Sequence, residues 1–224
     1  MIETVIPLTA AWLLLAGAAF WARHENLGIS KNMLISSLRG LGQLLLLAFV
    51  LHWIFDINSH MAQAAIIAGF ALLAGHNSAR YRDGSRVWLA SSTGILCGCA
   101  MTLPWLAFTG TIEADTRTII PLGSMIAANG MNAISIMYER MGIRGNAGEG
   151  IRTAMIPTMD TLRVVGLVHM PGIFVGMILA GAEPLAAASA QLIVLYMIVA
   201  SSLTSCIVSL LMNNHFNKAA TEQV

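Results

Sequence analysis

The chain has 224 residues, of which 57% are hydrophobic and 10% charged, with a formal net charge of +1. Soluble domains carry about 25% charged residues, so the composition excludes an ordinary soluble fold. The near-neutral charge argues against a nucleic-acid partner. Mean hydropathy is +0.73.

A membrane-crossing helix needs roughly 20 mostly apolar residues. The hydropathy pattern predicts seven spans, near 4–22, 34–55, 61–79, 87–109, 118–138, 162–181 and 186–212. The predicted fold class is therefore all-α, a polytopic membrane protein with a single transmembrane domain over 1–224. The runs do not alternate apolar and polar residues as barrel strands do. Residues 1–8 hold Glu3 and no Lys or Arg. They lack the basic n-region of a secretory signal, so the first span is expected to be a retained anchor. Residues 26–38 read either as an amphipathic helix on the membrane surface or as the approach to a second span starting near Met33.

Lys and Arg favour the cytoplasmic side. Arg23, Lys31 and Arg39 cluster after the first span, Arg80, Arg82 and Arg86 after the third, Arg140, Arg144, Arg152 and Arg163 after the fifth, and Lys218 lies in the tail. The second and sixth loops have none, and the fourth has only Arg117. This alternation predicts the N-terminus outside and the C-terminus in the cytoplasm. Glu3, Asp56, Glu113, Asp115 and Glu183 all fall on the outer segments.

Polar groups inside spans are expensive and mark interior faces or pathways. Arg39 and Gln43, four apart, share a face of the second span. Arg39 either snorkels to the headgroups or joins a pathway. His76 and Arg80 read as a solvated end of the third span. In the fifth span Asn129 and Asn132 share a face beside Gly130; they line a polar path or bond a neighbouring helix. Asp160 and Arg163 are spaced for an ion pair at the start of the sixth span, and Pro171-Gly172 is expected to kink it. Small residues four apart (Gly94 and Gly98, Gly123 and Ala127, Gly172 and Gly176) are spaced for close helix packing.

Cys97, Cys99 and Cys206 read as small buried hydrophobes. The six His and fourteen Met residues form no ligand spacing, so no metal site and no cofactor are expected. Nucleophile and phosphate-loop motifs are absent from the sequence, which argues against an enzyme.

Several segments carry a family resemblance. Arg39-Gly-Leu-Gly-Gln43 followed by LLLLAFVL resembles the R-x-x-x-Q-L signature of the FetB-like ABC transporter permeases. Pro121-Leu122-Gly123-Ser124-Met125 with Asn129-Gly-Met-Asn132-Ala133 is similar to a second family segment. Ala154-Met-Ile-Pro-Thr158, Val165-Gly-Leu-Val168, Pro171-Gly172 and Leu179-Ala-Gly181-x-x-Pro184-Leu185 resemble the third and most specific one, and Gln191 matches the Gln that follows it. The resemblance implies a membrane permease of a bacterial cytoplasmic membrane that exports a metal ion of the iron type, a chelate or a small solute. Plant relatives of that family are linked to aluminium tolerance. A separate ABC ATP-binding subunit would hydrolyse the ATP, and two permease copies would form a homodimer. The substrate pathway would comprise Arg39, Gln43, Asn129, Asn132 and Gln191, and Pro171, Gly172 and Gly176 would gate it. The loop at 139–163, with Arg144, Glu149, Arg152, Asp160 and Arg163, would receive the ATPase. That loop lacks a stretch that family members carry before the Ile156-Pro157-Thr158 motif. The shortening motivates an alternative, a regulatory or non-transporting descendant of such a permease.

Overall fold

The computed structural model describes residues 2–57, 59–81 and 85–221, with the side chains of 2–5, 85, 144 and 217–221 outside that description. Arg82 and the side chains of Glu3, Arg144 and Lys218, all used in the sequence reading, lie outside the described residues. Every regular element among the described residues is helical: α1 (Ile2–His24), α2 (Ser30–Phe55), α3 (His60–Ser78), α4 (Ser85–Phe108), α5 (Thr116–Arg144), α6 (Ala147–Val164), α7 (Gly172–Leu179) and α8 (Pro184–Thr221), with a 3-10 turn at Ala79–Tyr81. Among the described residues five stretches are long and apolar enough to cross a membrane: Ile6–His24, Ser30–Phe55, Arg86–Phe108, Thr116–Ile143 and Pro184–Phe216. Backbone groups in hydrocarbon must bond within their own segment, which a helix achieves. The chain is a polytopic all-α membrane protein.

The chain divides into two compact units, Met1–Asp56 and Ile57–Val224. The first is the α1–α2 hairpin. Asn26 (φ 54°) and Gly28 (φ 72°) adopt left-handed backbone between its helices, which turns the chain without a longer loop. The Trp12 indole donates to Ser37 Oγ at 3.2 Å. No residue of α2 is buried. A separate surface helix over 26–38 does not form: α2 starts at Ser30 and runs unbroken, because nothing between Ser30 and Leu38 breaks a helix.

The second unit packs α3, α4, α5 and α8 around Ile95, Ile126, Ile134, Met137 and Tyr138, all fully buried. Glycine lets the backbones meet. A Cβ on Gly98 would lie 2.6 Å from Ser205 Oγ and 2.9 Å from the Ser201 carbonyl, and one on Gly94 would collide with the Ser205 carbonyl. The α4 glycine pair thus seats on Ser201, Ser205 and Ser209, which recur every four residues along α8. The Tyr138 hydroxyl reaches Ser209 Oγ at 2.8 Å and ties α5 to the same seam. Gly172 and Gly176 have no neighbour within 4 Å of a built Cβ, so their spacing serves no packing within the described contacts.

Two expectations change. The predicted sixth span, 162–181, is not one helix. Amphipathic α6 ends at Val164, a turn covers 165–171, and α7 has only eight residues. Gly166 takes φ 82°, and the Val164 carbonyl accepts from the amides of Leu167, Val168 and His169. Pro171 is the N-cap of α7 and not a kink inside a helix; its fixed φ and missing N–H suit a helix start. Residues 139–163 are not an open loop either. α5 continues to Arg144, and α6 begins at Ala147. Gly145 (φ 69°) closes α5 with its N–H on the Met141 carbonyl, and Asn146 Oδ1 caps α6 by accepting from the Gly148 and Glu149 amides.

Candidate functional site

On α5 the two faces around Gly130 do different jobs. Gly130 is buried; a Cβ there would sit 3.1 Å from Ser205 Oγ and 3.3 Å from Ile95. This closeness draws α5 onto α8 and α4. Asn129 and Asn132, flanking it, line a cavity of about 170 Å³ closed by Pro157, Thr158 and Thr161 of α6 and by Leu195 and Ile198 of α8. Asn129 is half-buried and donates to the Met125 carbonyl at 2.8 Å. Asn132 is exposed and makes no side-chain hydrogen bond among the described residues. Thr161 donates to the Pro157 carbonyl at 2.9 Å. Pro157 lacks an N–H, so the Thr153 carbonyl loses its helical donor at this level.

Gln191 is 5% exposed, and its Oε1 is buried without a hydrogen-bond partner. It precedes Leu195 and Ile198 by four and seven residues, so it shares the face of α8 that lines the cavity. A buried acceptor left unmade costs about 1–3 kcal/mol; Ser202, Ser205 and Asn213 of α8 also bury an unpartnered polar atom. The second unit thus brings Asn129 and Asn132 to one cavity, with Gln191 on a helix face that borders it. Arg39 and Gln43 belong to the first unit, where both are exposed and neither makes a hydrogen bond or ion pair among the described residues. Pro171 and Gly172 start α7 and Gly176 lies inside it.

The charged candidates gather on the α5–α6 hairpin. Arg140 Nη2 pairs with Glu149 Oε1 at 2.9 Å, both about two-thirds buried. Asp160 and Arg163 pair at 2.9 Å in the open. Arg152 is exposed and unpaired among the described residues. A Cβ on Gly150 would meet Met141 Cγ at 2.8 Å and the Met137 carbonyl at 3.0 Å, so α6 lies directly on α5.

Sequence reasoning missed Pro157, Thr158 and Thr161 as cavity walls. Their spacing (i, i+1, i+4) was visible, but only the fold shows that they face Asn129 and Asn132. It also missed a polar relay at the start of α3: His60 Nδ1 bonds Gln63 Oε1 at 3.2 Å, Gln63 Nε2 donates to Thr116 Oγ1 at 2.8 Å, and Thr116 donates to the Ile57 carbonyl. Beside it, Asp115 caps α5 by accepting from the Thr118 amide at 2.9 Å. Hydrogen bonding from the Thr118 side chain, with the backbone bond beside it, lowers its carboxyl pKa.

Two larger hollows, about 480 Å³ against Met101, Trp105 and Tyr196 and about 360 Å³ against Ile67, Cys99 and Leu103, are mostly apolar. In a membrane protein such grooves suit acyl chains, so size alone does not pick the site. Convergent polar groups do, and they favour the amide-lined cavity.

The profile of an uncharacterised protein family, UPF0014, matches residues 5–147 and 142–216. The two matched segments meet at the α5–α6 turn. The chain is 28% identical to the probable iron export permease protein FetB of Escherichia coli, over 90% of this chain and 87% of that one. It is 26% identical to the UPF0014 membrane protein YjkA of Bacillus subtilis (91% and 90% covered) and 25% identical to the protein ALUMINUM SENSITIVE 3 of Arabidopsis thaliana (93% and 85% covered). No solved structure matches the chain. With the family profile running through nearly all of the bundle, from α1 into the last turns of α8, the chain belongs to the UPF0014 family.

Proposed function

We propose that this chain is the permease subunit of an ABC transporter in a bacterial cytoplasmic membrane. It would export a metal ion of the iron type, a metal chelate or a small solute, while a separate ATP-binding chain hydrolyses ATP. The observation that carries the reading is the cavity between α5, α6 and α8, where Asn129 and Asn132, midway along the membrane-length stretch Thr116–Ile143, meet Thr158. The name of the Escherichia coli relative, a probable iron export permease, supports the cargo class. In this reading the N-terminus lies outside, the C-terminus lies in the cytoplasm, and the whole chain works as one permease domain within a homodimer. Gln191 extends the path, Arg39 and Gln43 are substrate-route residues of the first unit by the family resemblance alone, and the break at Pro171-Gly172, with Gly176 beyond it, lets α7 move. The ATPase docks on the α5–α6 hairpin through Arg144, Glu149, Arg152, Asp160 and Arg163.

The test is affinity capture of tagged protein from gently solubilised membranes, comparing native chain with Arg152→Glu. Arg152 is exposed and holds no partner in place, so the change leaves the fold intact. Capture of an ABC ATPase by the native chain, reduced at least about tenfold in the variant, is expected; charge reversal at a docking contact costs this much. No ATPase with either chain would favour the second reading, a regulatory descendant. The observation behind that reading is the two-residue turn at Gly145-Asn146, where the two family matches meet.

A further inference from the structure

The polar lining of the α5–α6–α8 cavity holds no charged side chain: it consists of Asn129, Asn132, Thr158 and Thr161. Among the described residues no three His, Cys, Asp or Glu groups come together to hold a metal ion. A bare divalent or trivalent cation taken out of water needs anionic or imidazole ligands, and neutral oxygens alone leave its charge uncompensated. A free polyanion fares no better, because no cation faces it.

The unused hydrogen-bonding capacity points the same way. Among the described residues Asn132 keeps both amide N–H groups and its carbonyl free, and Thr158 keeps its hydroxyl. Asn129 spends one N–H on the Met125 carbonyl and keeps the other. These donors, two from Asn132 and one each from Asn129 and Thr158, suit a ligand that presents several oxygen acceptors. The Asn129 and Asn132 carbonyls can accept from its hydroxyl groups. The space, about 170 Å³, is several times the roughly 30 Å³ share of one water molecule. That is room for a small organic ligand rather than for an ion gripped directly by side chains.

Resting on the permease reading, we infer that this cavity takes its metal as a charge-compensated chelate of a small hydroxycarboxylate and not as a bare ion. The metal and its carboxylates neutralise one another, and the outer oxygens of the complex accept from Asn132, Asn129 and Thr158.

The test uses full-length protein in lipid nanodiscs. Equilibrium binding is measured with radioactive iron as one-to-one ferric citrate, as ferrous ion without chelator under reducing anaerobic conditions, and with labelled citrate alone. Asn132→Leu and Thr158→Val are the variants. Neither side chain holds a protein hydrogen bond, so neither change leaves a buried group unpaired, and monodisperse elution checks folding. Saturable ferric citrate binding is expected, weakened about tenfold by each variant, the scale of one hydrogen bond. Citrate alone is expected to bind more weakly. Ferrous ion binding with the same sensitivity to both variants would overturn the chelate assignment and leave the permease reading standing. Ferric citrate binding indifferent to both variants, or no binding, would overturn this site as the chelate site. The capture of an ATPase through Arg152 reports on the permease reading separately from all of these.

Discussion

Glycines in this chain divide by what stands opposite them. Gly98 faces Ser201 and Ser205 at distances no Cβ can share, whereas Gly176, inside α7, faces open space. Gly98→Val is expected to lower stability by about 1–3 kcal/mol through overpacking. Gly176→Ala is expected to raise it by about 0.5–1 kcal/mol through helix propensity. Thermal unfolding in detergent, followed by circular dichroism, separates the two; equal effects would mean that the α4–α8 seam is not as close as described. The pair Gly94 and Gly98 was legible in the sequence, because four-residue spacing of small residues is a local pattern. The matching spacing of Gly172 and Gly176 looks identical in sequence, yet no neighbour fills it. Only the partner helix distinguishes the two cases. The same holds at the cavity. That Asn129 and Asn132 share a face follows from helical periodicity, but Thr158 opposite them could not be read from spacing, since it comes from a helix whose docking depends on Gly150.

Among the elements, α6 departs most from what hydropathy suggests. Its charges made residues 139–163 resemble a loop, and the apolar run after Asp160 suggested a span through 181. Both readings follow from averaging over windows, which cannot separate one helix from a helix, a turn and a short helix. Finer signals were present. Gly145 followed by Asn146, with Glu149 three residues on, is a helix stop joined to a capped helix start. Gly166 and Pro171 bracket the second break. The Asn146 cap accepts from two amides, so Asn146→Ala is expected to cost about 1 kcal/mol and to speed amide exchange across the first turn of α6. Hydrogen exchange confined to α6 would check it. Exchange that rises equally in α4 and α8 would contradict a local role for this cap.

For the whole molecule, the hydropathy pattern reads as seven spans, and five stretches among the described residues are long and apolar enough to span a bilayer. The division into two units, Met1–Asp56 and Ile57–Val224, was not legible in that pattern, since both halves have the same lipid-compatible composition. With α2 offering no buried residue, sequence alone cannot reveal where a bundle ends. Orientation is testable at this scale. An epitope inserted between Glu113 and Ala114, in the connection before α5, is expected to be cleaved by protease added outside intact spheroplasts, while one at the C-terminus stays protected. The reverse pattern would invert every assignment of inside and outside and move the α5–α6 hairpin away from the cytoplasm.

The close seat of Gly150 on Met137 and Met141 also has a mechanical meaning. With buried Ala154 one turn on, it pins the first two turns of α6, while Pro157, Thr158 and Thr161 lie up to two turns beyond. A stiff rod held near one end behaves as a lever with unequal arms. A tilt about that seat displaces the far end of the rod most, and the cavity wall is toward that end. Pro157, which has already removed one rung of the helix ladder, is where such a rod yields first.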